Sequence, residues 1–268
     1  MDTSCDVLRR LAAEHPGLDG TTTVLGLGAK LATALGFSLH ALREFPSLDA
    51  QGIAIPSTQH DLYVWLRGDD QGELFLRARC VEQALRDAFV LASDIDTFVY
   101  DIGRDLTGYE DGTENPQGQA AVETAIVADP SVAPLASSFV AVQNWEHDFE
   151  RFAAMTKSEQ DFAIGRERLS NEELDDAPES AHVKRTAQES FDPESFVLRR
   201  STPWTNGKRG GLLFVAFGAT LDPFERQLRR MAGLDDGIVD GLFQFSRPVS
   251  GAYYWCPPLE QGRIVLID

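Results

Sequence analysis

The chemistry-bearing part of the sequence is one loop-like stretch, Gly103-Arg104-Asp105-Leu106-Thr107-Gly108-Tyr109-Glu110-Asp111-Gly112-Thr113-Glu114-Asn115-Pro116. Gly108 and Gly112 bracket Asp111. Glycine lets a backbone take unusual torsions and approach a flat ligand closely. A carboxylate set there can shuttle a proton. Two plainer readings compete. GxxDG alone is an Asp-Gly turn, and the alternation of Asp105, Thr107, Tyr109 and Asp111 suggests a hard-cation loop. Tyrosine is a poor ligand for such a cation and the spacing is not that of an EF-hand.

Five histidines are candidate ligands or bases: His15, His40, His60, His147 and His182. His15 precedes a proline, and His40 and His60 stand in polar or loop contexts. His147, in Trp145-Glu146-His147-Asp148, lies at a strand-to-helix junction, where a capping or surface role is the plain expectation. His182 follows a strongly acidic stretch, and on residue type alone a surface role is favoured there too. Arg199 and Arg200 are adjacent in a strand-like segment, so only one of them can face a given pocket.

The elements that must position these residues are short strands and helices joined by long connections. Strand-like runs cover Thr22 to Leu27, Asp61 to Leu66, Asp96 to Tyr100, Ser138 to Gln143, Phe196 to Arg199, Leu212 to Phe217 and Gly251 to Trp255. Helical spacing marks residues 5–14, Leu74 to Val90, Phe149 to Ile164 and Phe224 to Met231. The pattern reads as two copies of one α+β theme, with antiparallel sheets covered by helices. Two long irregular stretches interrupt it, from Gly103 to about Ala136 and from Glu167 to about Ser195. Long loops in a compact domain are functional or unstructured.

Composition narrows the function. The chain has 268 residues, 43% of them hydrophobic, enough for a substantial core. Its net charge of -18 repels phosphate backbones and anionic membranes, so neither nucleic acid nor a membrane is an expected partner. No apolar run approaches ~18 residues, and the first residues do not resemble an export signal, so the expected compartment is the cytoplasm. Cys5, Cys80 and Cys256 are far apart and form no CxxC pair, which argues against a cysteine zinc site and a disulfide framework. Cys256, after a run of aromatics, is expected to be a buried thiol.

GRDLTGYEDGTENP closely resembles the distal haem loop of dye-decolorising peroxidases. The resemblance continues, in order, through Ser138 to His147 (SFVAVQNWEH), Ile164-Gly165-Arg166, Ser180 to Arg185, Val197 to Pro203, and Gly210 to Phe214. It implies an α+β fold of two ferredoxin-like halves, of the dimeric α+β barrel type. Residues 1–130 would form the first half, ending in the distal loop, and residues 131–268 the half carrying the haem pocket. It implies haem b (iron protoporphyrin IX) as cofactor and hydrogen peroxide as oxidant, with small aromatic reductants, dyes or phenols as one-electron donors through a ferryl intermediate.

The same resemblance makes His182 the iron ligand, with Asp240 as the acceptor for its second ring nitrogen. Asp111 becomes the distal acid–base group and Arg199 the distal cation, with Arg199 also a haem contact. Ser201 shares the Arg199 face, and Leu213 and Phe214 form the apolar distal wall. Gly112, Thr113 and Asn115 line the haem edge, and Arg166 pairs with a propionate. Tyr109, Trp204, Tyr253, Tyr254 and Trp255 are candidate surface relays for bulky reductants, with core packing the plainer reading for aromatics in such strands. Similar proteins carry a strand before a helix like residues 5–14, so an open sheet edge is expected if that strand is lacking. They also form homo-oligomers, so a dimer or larger is expected. Rival readings are haem handling of a deferrochelatase-like kind, with iron released from intact haem, and a non-catalytic haem carrier.

Overall fold

The structure is a computed structural model and describes residues 3–14, 22–261 and 263–266. His15 lies outside the described residues. The helices are α1 (Thr3–Glu14), α2 (Ala29–Ala34), α3 (Gln71–Leu85), α4 (Gly118–Ala125), α5 (Phe149–Ala154), α6 (Lys157–Ile164), α7 (His182–Arg185) and α8 (Asp222–Met231). The strands are β1 (Thr23–Leu27), β2 (Leu48–Ala50), β3 (Ile53–Ile55), β4 (Leu62–Leu66), β5 (Ser138–His147), β6 (Leu198–Arg199), β7 (Thr202–Asn206), β8 (Arg209–Gly218), β9 (Ser246–Pro248), β10 (Ala252–Cys256), β11 (Leu259–Glu260) and β12 (Arg263–Ile264).

One eight-stranded sheet organises the molecule, in the order β4-β1-β10-β5-β8-β6, with β7 on β8 and β9 on β5. Its ladders are antiparallel. Strand alternation divides its side chains into two sets. Phe139, Ala141, Trp145, Ala216, Tyr253, Trp255, Leu25 and Leu27 face one side, where Leu8, Leu11, Leu31, Leu85, Phe224 and Leu228 from the helices cover them. Val140, Val142, Leu213, Val215 and Tyr254 face the other side, with Tyr63, Trp65 and Phe217 against them.

The second face closes on itself because the sheet curls. Trp65 of β4 stacks on Phe217 of β8 with ring centroids 6.3 Å apart. In a flat sheet, strands four places apart would be separated by ~19 Å. This curled, helix-covered antiparallel sheet is the α+β architecture expected from the sequence.

Local chemistry explains the departures from the expected elements. Phe149 to Ile164 is two helices, because Thr156 closes a capping box with Glu159 and starts α6 anew. Residues 96–100 are not a strand and contribute a single bridge, Thr97 to Trp204. Leu74 to Val90 ends as a helix at Leu85. The strand begun at Ser138 runs on to His147, and the one around Leu212 to Phe217 spans Arg209–Gly218. This β5–β8 ladder, paired from Phe139–Gly218 to Glu146–Gly211, is the longest in the sheet. Cys5 and Cys256 are buried, and burial pushes the Cys256 thiol up to about 12. No helix among the described residues is long and apolar enough to cross a membrane.

Candidate active site

His182 opens α7, a single helical turn held from beneath. Arg185, also on α7, is buried and forms a two-pronged ion pair with Asp236, both contacts at 2.7 Å, and donates to the Arg230 carbonyl at 2.7 Å. These bonds fasten α7 to the end of α8. Arg185→Met is expected to cost about 2–4 kcal/mol, below the full cost of breaking a buried pair because Asp236 is partly exposed. Urea unfolding checks this.

The His182 ring is oriented by Asp240. Nδ1 lies 2.8 Å from Asp240 Oδ2, and the other carboxylate oxygen, Oδ1, accepts the Leu242 N–H at 2.8 Å. Asp240 is 1% exposed and stands at the N-terminus of the short 3-10 turn Gly241–Gln244. The carboxylate accepts from Nδ1–H, which leaves Nε2 of the neutral ring as a free lone pair. Among the described residues Nε2 has no hydrogen-bond partner, and the side chain keeps 25% of its surface accessible. Burial disfavours the imidazolium, but the Asp240 charge and hydrogen bond outweigh it and raise the ring above the ordinary histidine value. The Arg199 and Asp111 charges also act on this ring.

Arg199 arrives on β6, directly opposite Ala216 of β8, so it shares the helix-covered face with Phe214 and Leu212. Arg200, whose N–H bonds the Val215 carbonyl, is exposed. Arg199 Nη1 approaches Asp111 Oδ1 at 3.9 Å. Its Nε is buried with no hydrogen-bond partner. Ser201, two residues on, accepts weakly from the Val215 N–H at 3.4 Å.

The Asp111 loop is built around its glycines. Gly108 and Gly112 have positive φ (89° and 74°), which side-chain-bearing residues rarely adopt. A Cβ on Gly112 would also stand 2.9 Å from Asn115 Nδ2. That clearance matters because the Asn115 amide works as a clamp. It donates to the Arg199 carbonyl at 3.0 Å and accepts the Arg199 N–H at 2.8 Å. Asn115 therefore fixes the backbone of the arginine strand. Thr113 is exposed and borders, with Asn115 and Phe196, a cleft of about 470 Å³ that His182 does not line.

Several expected residues sit differently. Leu213 is on the opposite sheet face from Arg199, packed with Val140, Val142 and Trp204, because neighbours in a strand point to opposite sides. Arg166 is buried and already engaged, with Nη2 on Glu114 (2.9 Å) and Glu173 (2.5 Å) and Nη1 on the Asn171 carbonyl (2.9 Å). The proposed surface relays are not at the surface. Tyr109 (4%), Trp204 (6%), Tyr253 (0%), Tyr254 (3%) and Trp255 (0%) are core residues.

The residue types fit a haem. A free imidazole Nε2 is a suitable axial donor for iron. The unpaired Arg199 Nε offers a donor to an anionic oxygen. Leu212 and Phe214 are only partly buried on the same face, leaving apolar surface for a flat ligand.

The family profile described as "Dyp-type peroxidase, C-terminal" matches residues 103–261, more than half of the chain. This chain belongs to the Dyp-type peroxidase family. It is 29% identical over 225 residues to a dye-decolorizing peroxidase of Mycobacterium tuberculosis, covering 82% of this chain and 67% of that relative. It is 30% identical over 249 residues to a dye-decolorizing peroxidase of Rhodococcus erythropolis, covering 90% and 73%. Among solved structures, a DypB variant of Rhodococcus jostii RHA1 in complex with heme superposes with a TM-score of 0.88 at 26% identity, covering 96% of this chain and 89% of that one. A dye-decolorizing protein from V. cholerae gives 0.84 at 28% identity, covering 95% and 88%. For this Dyp-type peroxidase, the matched stretch starts within the Asp111 loop and takes in His182, Arg199 and Asp240.

Proposed function

We propose that this Dyp-type peroxidase binds haem b on His182 and uses hydrogen peroxide to oxidise dyes, phenols or other small one-electron donors. One observation carries the reading. The Asp240 bond holds His182 Nδ1 and leaves Nε2 available as a ligand, while Asp111 and Arg199 approach each other at 3.9 Å. Haem supplies the two-electron redox chemistry that peroxide reduction needs.

The side chains do the rest. Asp240 holds the His182 tautomer and keeps the ligating nitrogen basic. The Asp111 carboxylate takes a proton from one peroxide oxygen and returns it to the other as water leaves. The permanent Arg199 charge favours the peroxide anion and the negative charge developing on the departing oxygen. Asn115 and Gly112 keep the Arg199 strand and the Asp111 loop in register. Phe214 walls the pocket, Ser201 adds a hydroxyl on the Arg199 face, and Thr113 borders its rim. Arg166 would pair with a haem propionate in exchange for one of its carboxylate partners, Glu114 or Glu173.

We place the boundary of the two halves at residues 130–131, between α4 and β5. In support, β1 meets the sheet of the second half through the single pair Leu27–Trp255. The reading includes a cytoplasmic homo-oligomer of two or more chains. The exposed apolar residues Val90, Leu91, Val99 and Ile102 are surface available for a protein contact.

The test is an absorption spectrum of the haem-loaded protein before and after peroxide. A Soret band that shifts on adding one equivalent is the expected result. An unshifted band would sink the peroxidase reading, and metal-free porphyrin fluorescence would instead indicate iron release.

A further inference from the structure

We propose that His147 is a positioning residue for Asp111, latching the loop that carries this carboxylate to the same sheet that carries Arg199. The inference rests on the peroxidase reading for its consequence, but on independent geometry for its basis.

His147 ends β5 and is buried, with the rings of Phe149 and Phe245 centred 5.7 Å and 6.2 Å away. Both of its nitrogens are used. Nε2 lies 2.9 Å from Asp105 Oδ2 and Nδ1 lies 2.7 Å from Ser246 Oγ. A carboxylate only accepts, so Nε2–H donates to Asp105 and Nδ1 accepts from the Ser246 hydroxyl in the neutral ring. Ser246 is the β9 residue paired with His147 in the sheet, so the ring is fixed from its own ladder.

Asp105 is the loop's end of the latch. Its Oδ1 accepts from the Thr107 N–H (2.8 Å) and hydroxyl (2.5 Å). Its backbone N–H bonds the Tyr109 carbonyl and its carbonyl accepts from Gly108, both at 2.8 Å. Arg104 bridges to Glu110, and the Asp111 N–H reaches the Gly103 carbonyl at 3.2 Å. Residues 103 to 111 therefore form one cross-bonded turn, and a shift of Asp105 moves Asp111 with it.

Leu106 borders Gly210 of β8, and the turn's other polar ties go elsewhere. Arg104 and Glu110 bind Arg168 and Asn171 of the neighbouring loop, and the Tyr109 hydroxyl donates to Asp161 on α6. Asp105 reaches β5, which pairs with β8, which in turn pairs with Arg199. The 3.9 Å approach of Asp111 to Arg199 is thus referred to a single rigid frame. Lateral errors of about 1 Å in such a pair cost up to about 100-fold in rate.

Stopped-flow Soret changes on mixing with peroxide are compared for the haem-loaded parent, His147→Phe, His147→Gln and Asp105→Ala. Amide hydrogen exchange across residues 103–111 is followed in the same proteins without peroxide. Glutamine can donate to Asp105 and accept from Ser246, so it should stay close to the parent in both readouts. Phenylalanine severs the latch from the sheet side, and Asp105→Ala severs it from the loop side should the phenylalanine variant not fold. Either should slow the peroxide reaction about 10- to 100-fold, speed exchange in the turn, and leave the resting Soret position unchanged, since His182 and Asp240 are untouched. Parental rates and unchanged exchange in both severed variants would overturn the latch. So would equal losses in the Gln and Phe variants accompanied by loss of haem. A parent that ignores peroxide defeats the enzymatic reading, while the exchange data still decide whether His147 holds the loop.

Discussion

Arg199→Leu is expected to slow the reaction of the haem-loaded protein with hydrogen peroxide by about 10²–10³-fold, the scale for removing one preorganised charge-stabilising donor. The guanidinium is 13% exposed, so little water can take over its charge. Its backbone is clamped by Asn115 and its Nε is unpaired. Asp111→Asn should follow with a loss of about 10²-fold or more, because an amide cannot accept and return a proton. The two losses should combine less than additively, since both groups act on the same leaving oxygen. Stopped-flow measurement of the second-order rate for the two single variants and the double variant checks this. Rates within threefold of the parent in both single variants would remove these residues from the chemistry.

His182→Ala is expected to have the largest effect on haem itself, abolishing the axial bond and with it the native Soret spectrum. Asp240→Asn separates binding from tuning. The amide nearly preserves shape, but it removes the negative charge that keeps the His182 ring electron-rich. Loss of such a partner costs about 10- to 100-fold in metal affinity or activity. The haem reduction potential should rise, because a less basic axial ligand favours ferric iron less. Haem titration and spectroelectrochemistry measure the two effects separately. An unchanged potential in Asp240→Asn would mean that the 2.8 Å contact orients the ring without tuning it.

The pairing of His182 with Asp240, 58 positions apart, was implied by the family resemblance, whereas the loop around Asp111 lay in the linear order of residues. The motif around Asp111 is local: two glycines with positive φ, a carboxylate between them, and the Asn115 amide four residues after that carboxylate all lie within residues 108–115. Such information survives in a linear chain, as does the alternation that puts Arg199 and Arg200 on opposite faces. The strands around β1, β4, β5, β8 and β10 were legible for the same reason, since period-two alternation is written residue by residue.

What the chain could not show by itself was which distant groups share an environment. His147 read as a capping or surface residue because Asp105 is 42 positions away and Ser246 is 99. Arg166 was expected to pair with a propionate, and its link to Glu114, 52 positions earlier, was not visible in the sequence. Tyr253, Tyr254 and Trp255 have the same side chains in a core as at a surface; the covering helices put Tyr253 and Trp255 inside, and the curl of the sheet put Tyr254 inside. Residues 96–100 have the alternation of a strand but found a single bridge rather than a ladder. Local pattern, carried by backbone torsions and side-chain periodicity, determined the elements and the loop. Tertiary packing decided burial, pairing and charge environment, because those depend on contacts between residues far apart in sequence.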